Sequence, residues 1–336
     1  MPKQKDLSTL LNVSQGTVSR ALRGTGRVSP DLRERVLHAA SRMGYRLPET
    51  IAPRRIRASR SHGVICVEIV NGDTWHETLI GGAIEAARQV GREVIVAPHR
   101  AGLFPQVVSG GRVAGLVRMM GADDFKPGVR IEEAPVPTVS ILYPMPGADV
   151  VSVDAFESAR ELGLRLGEKR PGLVACLAHC SPVGHARSLG VLAGLRERGA
   201  SLPLELIRTV SGLAPNASMP KVEELLDLRA AGRPEHQFSL IVFYNDSLAR
   251  HAIARIRARG LRVPEDVGVA GYDDVDPAPS SDIRLTTVHL PIRELGLASV
   301  HRIHARMQRP GEPPLHWLLQ AHVVEGNSVL DRSVGK

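Results

Sequence analysis

The sequence predicts a two-part protein: an all-α helix-turn-helix headpiece, then an α/β two-lobed domain built on doubly wound parallel sheets. Three observations lead there. The 336 residues suffice for about two domains plus a small module, at roughly 150 residues per domain. Basic charge is concentrated at the start, where residues 1–60 carry 13 Lys plus Arg against 4 Asp plus Glu, while residues 61–336 carry 30 against 31. The apolar pattern also changes near residue 62, from helical spacing to short β-branched runs alternating with amphipathic helices.

The headpiece is expected over residues 1–46. Leu7, Leu10 and Leu11 form one helical stripe, and Asn12 tolerates the left-handed backbone that turns a chain sharply out of a helix. Ser14 caps a second helix from Gln15 to about Leu22, with Val18 and Leu22 inward and Gln15, Thr17, Ser19, Arg20 and Arg23 outward. Ser29-Pro30 opens a third helix, with Val36, Leu37 and Ala40 inward, and Gly44 ends it. Residues 47–61, rich in arginine with two prolines at Pro48 and Pro53, offer few candidates for a core and are expected to be a basic hinge or linker.

Residues 62–330 form the second part. Buried strands are predicted at 63–70, 92–97, 113–119, 136–142, 172–178, 238–244 and 267–272, with helices near 75–90, 154–168, 185–198, 219–231, 245–259 and 291–308. Alternation of this kind implies right-handed βαβ units, with ligands outside the carboxyl ends of the strands. The expected N-lobe takes about 62–152 plus 289–311, and the C-lobe about 153–288 plus 312–330.

Composition narrows the function classes. With 43% hydrophobic and 23% charged residues, the chain is neither disordered nor collagen-like. No apolar run approaches the roughly 18 residues of a membrane span, and the N-terminus lacks a signal-peptide pattern. Cys66, Cys176 and Cys180 do not make a paired disulfide framework. A cytoplasmic protein without membrane contact is expected.

A helix, a tight turn and a second helix with polar outer residues is the geometry that enters a DNA major groove. Gln15 offers two hydrogen-bonding groups spaced for adenine and Arg20 two for guanine. Thr17, Ser19 and Ser29 suit phosphates, and Arg23 and Arg27 suit either phosphates or base edges. From these residues alone, a protein-interaction module and a solvated basic face stand beside the DNA reading.

The stretch LSTLLNVSQGTVSRALRGTGRVSPDLRERVLHAASRMGY resembles the DNA-binding headpiece of the LacI/GalR (lactose-repressor) family of bacterial transcription regulators. The resemblance continues through WHETLIGGAIEAA, ARSLGVLAGLRERG and VFYNDSLARHAIARIRARGLRVPEDVGVAGYDDVDPA, in the family's order and nearly end to end. It implies a homodimeric regulator, a repressor on double-stranded, pseudo-palindromic operator DNA. Its two-lobed, periplasmic-binding-protein-like part senses a small-molecule effector, a carbohydrate. The resemblance puts Gln15, Gly16, Arg20, Arg23 and Arg27 at base-reading or groove-edge positions and Ser14, Thr17, Ser19 and Ser29 near phosphates. Gly16 has no side chain, so one leading reader position is silent. In the hinge, Pro53 and Arg55 stand where the family carries Arg and its groove-inserting Leu. Ile56 is then the candidate wedge, with a basic arm in the minor groove as the other reading. The segment 97–116 is also short for the family's second βα unit.

For the effector, the resemblance implies Trp75 as an aromatic contact and Arg187, Asn245 and Asp273 as polar contacts. Each has a competing structural role: an inter-lobe ion pair for Arg187 with Asp273, and a helix cap for Asn245. Asp246 and Asp274 read as capping and turn residues, and Tyr272 as a packing residue. Cys176, His179, Cys180 and His185 match no standard zinc spacing. No phosphate loop, nucleophile elbow or H-E-x-x-H occurs. No catalytic residue, metal or cofactor is expected. The competing classes are a sugar-binding protein and a sugar-processing enzyme on the same two-lobed fold.

Overall fold

The computed structural model describes residues 4–23, 28, 29, 32, 35, 36, 39, 63–100, 106–109, 113–125, 128–131, 135–212, 215–275 and 282–333. The chain divides into two compact units, Met1–Ser61 and His62–Lys336.

In the first unit, α1 (Gln4–Leu11) and α2 (Gln15–Arg23) flank a tight turn. Asn12 makes that turn with a φ of 51°, a conformation that Asn tolerates better than most non-glycine residues. The N–H of Val13 closes the end of α1 by donating to the Ser8 carbonyl at 3.1 Å. Leu7, Val18, Ala21, Leu22, Val36 and Ala39 form the core, with Leu11, Val13, Val28 and Leu32 packed against it. Leu10 departs from the expected inward stripe and is 61% exposed, because only one face of a two-turn helix meets this core. Leu37, Ala40, Gly44 and the 47–61 linker lie outside the described residues.

The second unit contains two parallel sheets. The first has β1 (Val64–Ile69), β2 (Val94–Pro98), β3 (Val113–Met119), β4 (Thr138–Ile141), β5 (Asp149–Val153) and β11 (His316–Leu319), in the order β11-β5-β4-β3-β1-β2. Helices α3 (Thr74–Gln89) and α8 (Ile292–Gln308) pack on this sheet and on each other. The second sheet has β6 (Leu173–His179), β7 (Ile207–Val210), β8 (Phe238–Phe243) and β9 (Gly268–Ala270), in the order β7-β6-β8-β9. Its helices are α4 (Ala155–Glu168), α5 (Pro182–Glu197), α6 (Pro215–Ala230) and α7 (Asp246–Ala258).

The chain passes between the lobes three times, after β5, through β10 (Thr287–His289) and through β12 (His322–Val324). The last two pair antiparallel and tie the lobes together. One expected boundary is corrected here. Residues 312–330 do not all belong to the C-lobe, because His316–Leu319 pairs in parallel with β5 and extends the first sheet. Between β2 and β3 the described helix is the single turn Gln106–Ser109.

Core strands are buried on both faces, as expected for parallel sheets covered by helices; β3 and β5 are buried along their whole length. Close contact between α4 and α5 explains three glycines. A Cβ on Gly163 of α4, or on Gly190 or Gly194 of α5, would overlap the backbone of the facing helix, so a side chain at any of the three would force the helices apart. Among the described residues no helix is long and apolar enough to cross a membrane.

Candidate functional site

Two surfaces carry the expected site residues. On the headpiece, Ser14 begins α2 as its N-cap, its Oγ accepting from the Thr17 N–H at 3.0 Å. This satisfies one of the donors that a helix start leaves unpaired. The Ser14 and Thr17 hydroxyls lie 2.8 Å apart, and the Arg20 guanidinium donates to Thr17 Oγ1 at 3.3 Å. Ser14, Thr17 and Arg20 therefore form a hydrogen-bonded row along one helix edge, set by the i, i+3 spacing. Ser14, Gln15, Gly16 and Arg20 are exposed, while Thr17 and Ser19 are half-buried. A Cβ on Gly16 would meet nothing closer than 3.8 Å, so packing does not require glycine there. Ser29 is exposed, and its Oγ accepts from the Leu32 N–H at 3.3 Å. Arg23 ends α2, but its side chain, like Arg27 and Ile56, lies outside the described residues.

The second surface is a cavity of about 340 Å³ between the two lobes, at the small end of the roughly 300–1,000 Å³ typical of ligand pockets. It lies outside the carboxyl ends of β1, β3, β4, β6, β8 and β9, where an open α/β sheet leaves helix starts and loop side chains free to converge. Trp75, Arg187, Asn245 and Asp273 all line it. Trp75 sits in the first turn of α3, its ring 5.3 Å from that of His76 in an edge arrangement.

Arg187 and Asp273 form the centre of the C-lobe wall. The guanidinium lies 3.1 Å from Asp273 Oδ1, donates to the Tyr244 carbonyl at 2.8 Å and stacks 3.8 Å above the Tyr272 ring. Burial works against the Arg187 charge, but the Asp273 carboxylate offsets it and holds the guanidinium above its ordinary pKa. Burial pushes the Asp273 carboxyl up to about 7 despite Arg187, and the negative charges of Asp246 and Asp73 add to the rise. Asp273 also has a φ of 112°, a region costly for a residue with a Cβ. The two residues do form an ion pair, but within one lobe rather than across the cleft, unlike the inter-lobe pair expected as their competing role. Asp273 Oδ1 and Arg187 Nε are buried atoms whose polar surroundings are this ion pair and its neighbours.

Asn245 caps α7, its Oδ1 accepting from the Leu248 N–H at 2.9 Å. The cap occupies its oxygen, and the amide nitrogen remains for a ligand. Asp246 accepts from the Thr287 hydroxyl at 2.7 Å and the Val275 N–H at 3.2 Å, and burial raises its pKa to about 6. Asp274 pairs with His289 Nδ1 at 2.8 Å on crossing strand β10. Tyr272 is the platform beneath Arg187, and its hydroxyl lies 2.5 Å from Ser158 Oγ.

Sequence reasoning missed several lining residues. Asp73 caps α3 by accepting from the His76 N–H at 3.1 Å and also holds His76 Nδ1 at 2.5 Å. Tyr143 follows β4 and donates to Ser181 Oγ at 3.2 Å, a hydrogen bond across the cleft. Ser181 caps α5 and holds His179 Nδ1 at 3.0 Å. Asp73 and Ser181 were detectable as polar residues between a strand and an apolar helical run. Cys176 is buried, as reduced cysteines at a strand end should be, but Cys180 is exposed because it lies one residue past β6. Asp154 caps α4 through the Glu157 N–H and does not line the cavity.

Comparison with known proteins gives a consistent result. Residues 161–329 match the periplasmic binding protein-like domain, and residues 4–47 match the bacterial regulatory proteins of the lacI family. The HTH-type transcriptional regulator CelR of Thermobifida fusca is 27% identical, covering 96% of this chain and 97% of its own. The HTH-type transcriptional repressor CytR of Escherichia coli K12 is 25% identical over 90% of this chain and 89% of its own. Among solved structures, a transcriptional regulator CelR–cellobiose complex superposes with a TM-score of 0.70 at 24% identity, covering 98% of this chain and 100% of that one. The lac repressor dimer bound to operator and an anti-inducer gives 0.61 at 21% identity, covering 98% and 99%.

Proposed function

Because the chain belongs to the lacI family of bacterial regulatory proteins and is a DNA-binding transcription regulator rather than an enzyme, we propose that it is a homodimeric repressor whose operator affinity is set by a sugar in the inter-lobe cavity. One observation carries the sugar reading: a cavity that joins an aromatic residue, Trp75, to the polar side chains of Arg187, Asn245 and Asp273. Sugars present apolar C–H faces and directional hydroxyls, and this wall complements both. The solved CelR complex with cellobiose, on the same fold, supports this.

In this reading Gln15 and Arg20 contact base edges, with Arg23 and Arg27 beside them. Ser14, Thr17, Ser19 and Ser29 exchange their internal hydrogen bonds for phosphate oxygens. Gly16 contributes close backbone approach only, and Ile56 enters the minor groove between the two half-sites. Effector acts by favouring one arrangement of the lobes, and a ligand indifferent to the arrangements would change nothing.

Gel shift with genomic fragments at several salt concentrations tests the DNA part. A specific dimer retains few fragments and shows a steep negative dependence of log affinity on log salt. Arg20→Ala is expected to weaken specific binding by about 1–3 kcal/mol and to relax selectivity at one base step per half-site. Unchanged selectivity in that variant would remove Arg20 from the reading.

A further inference from the structure

The cavity walls carry a finer chemical preference, which rests on the sugar reading above. Three helix N-termini meet there: α3 after Asp73, α5 after Ser181 and α7 after Asn245. Helix N-termini attract phosphate through unpaired N–H groups and the positive end of the helix dipole. Here each already has one of its N–H groups taken by its own cap. Asp73 sets a carboxylate on α3, where it takes the His76 N–H and holds the His76 ring. Helix α5 starts with Pro182, which has no N–H, and Ser181 Oγ takes the Gly184 N–H at 3.1 Å. Helix α7 has its Leu248 N–H taken by Asn245, and its first residue is the buried carboxylate Asp246.

The cation side is equally closed. Arg187 is the one Lys or Arg among the described residues lining the cavity, and Asp273 already matches it at 3.1 Å. Phosphate esters are normally held by arginine forks or lysines with charge to spare. A phosphate entering here would meet the Asp73 carboxylate, and the Arg187 charge is already committed to Asp273.

We propose that the cleft selects an uncharged polyhydroxyl effector and rejects its phosphate ester, with Asp73 as a specificity-determining residue. The selection works by repulsion: the cavity bonds hydroxyls and sets the Asp73 carboxylate against anions, with the Arg187 charge matched by Asp273. The fall of the Asp73 pKa through its bonds to His76, which outweigh its burial, keeps this carboxylate ionised at neutral pH.

The test uses the full chain and matched ligand pairs: glucose with glucose 6-phosphate, ribose with ribose 5-phosphate and fructose with fructose 6-phosphate, plus cellobiose and inorganic phosphate. Thermal shift identifies binders and calorimetry gives their affinities. At least one neutral sugar is expected to bind, with its phosphate ester weaker by about tenfold or more at low salt. Asp73→Asn keeps an oxygen for the helix cap and is expected to narrow that gap by about tenfold. A phosphate ester that binds as tightly as its parent sugar would overturn this inference and leave the sugar reading intact. Failure of every sugar in both forms would overturn both. A gap unchanged by Asp73→Asn would overturn the role given to Asp73.

Discussion

The headpiece face and the inter-lobe cleft display polar side chains under opposite physical conditions. On α2, Ser14, Thr17 and Arg20 satisfy one another in a short chain of hydrogen bonds open to water. In the cleft, Arg187 and Asp273 are a desolvated ion pair on an aromatic platform, and Asp273 occupies a costly backbone conformation. An exposed recognition face can change sequence with little effect on folding, since surface substitutions move stability by roughly half a kcal/mol. A buried polar site couples recognition to stability. This contrast separates mutants that lose only DNA selectivity from mutants that lose ligand response and stability together.

The largest effect should fall in the cleft. Arg187→Ala strands the Asp273 carboxylate, and breaking a buried pair costs about 3 kcal/mol or more. Urea unfolding should show that loss, with DNA binding retained below the unfolding midpoint. The loss should shrink at low pH, where Asp273 takes up a proton. A loss under about 0.5 kcal/mol, typical of surface sites, would erase the distinction between the two regions.

The next test is pH. Asp273 has a folded pKa of about 7, above its ordinary value of 3.8. The folded state therefore holds more protons between those limits, and stability declines as pH rises from about 4 to 7. Asp273→Asn should make that decline shallower, leaving the part that Asp246, raised to about 6, contributes. His99 adds a separate decline in the N-lobe. Burial opposes its charge, but Asp124 at 2.8 Å and Glu68 at 3.0 Å raise its pKa to about 9. Its contribution is fully present below its unfolded pKa of about 6.5 and is lost as pH rises through 9. A urea-midpoint profile that rises between pH 7 and 9 would contradict the His99 assignment.

The smallest effect belongs to the headpiece. Gly16→Ala meets open space on a helix surface, so it should stabilise the headpiece by up to about 1 kcal/mol. Thermal unfolding of the variant checks this. Destabilisation there would mean that the face is packed against something rather than exposed.

The same contrast governs what was legible in the sequence. Long β-branched runs such as 113–119 marked core strands, because parallel sheets bury both faces. Strands β5, β7, β10, β11 and β12 escaped, each with only three to five residues, too few to establish a period. The pairing of β11 with β5 joins residues more than 160 positions apart, and no local pattern specifies such a contact. At the site, Trp75, Arg187, Asn245 and Asp273 were legible from motif and strand-end position. Tyr143 was not, because Leu142 turns the chain through a φ of 66° just before it, and nothing in VSILYPMPG announces that turn. Asp73 carried a readable capping signal, but its place in the cavity depends on how two lobes face each other.

The central claim is that cavity occupancy controls the grip of the headpiece on DNA. Fluorescence anisotropy of a retained DNA fragment, titrated with protein with and without a sugar that binds the cavity, measures this directly. The account predicts a change in DNA affinity of about 5- to 150-fold, matched by an equal change in sugar affinity when DNA is bound, and its disappearance in Arg187→Ala. Identical DNA affinity with the cavity empty and filled would contradict it.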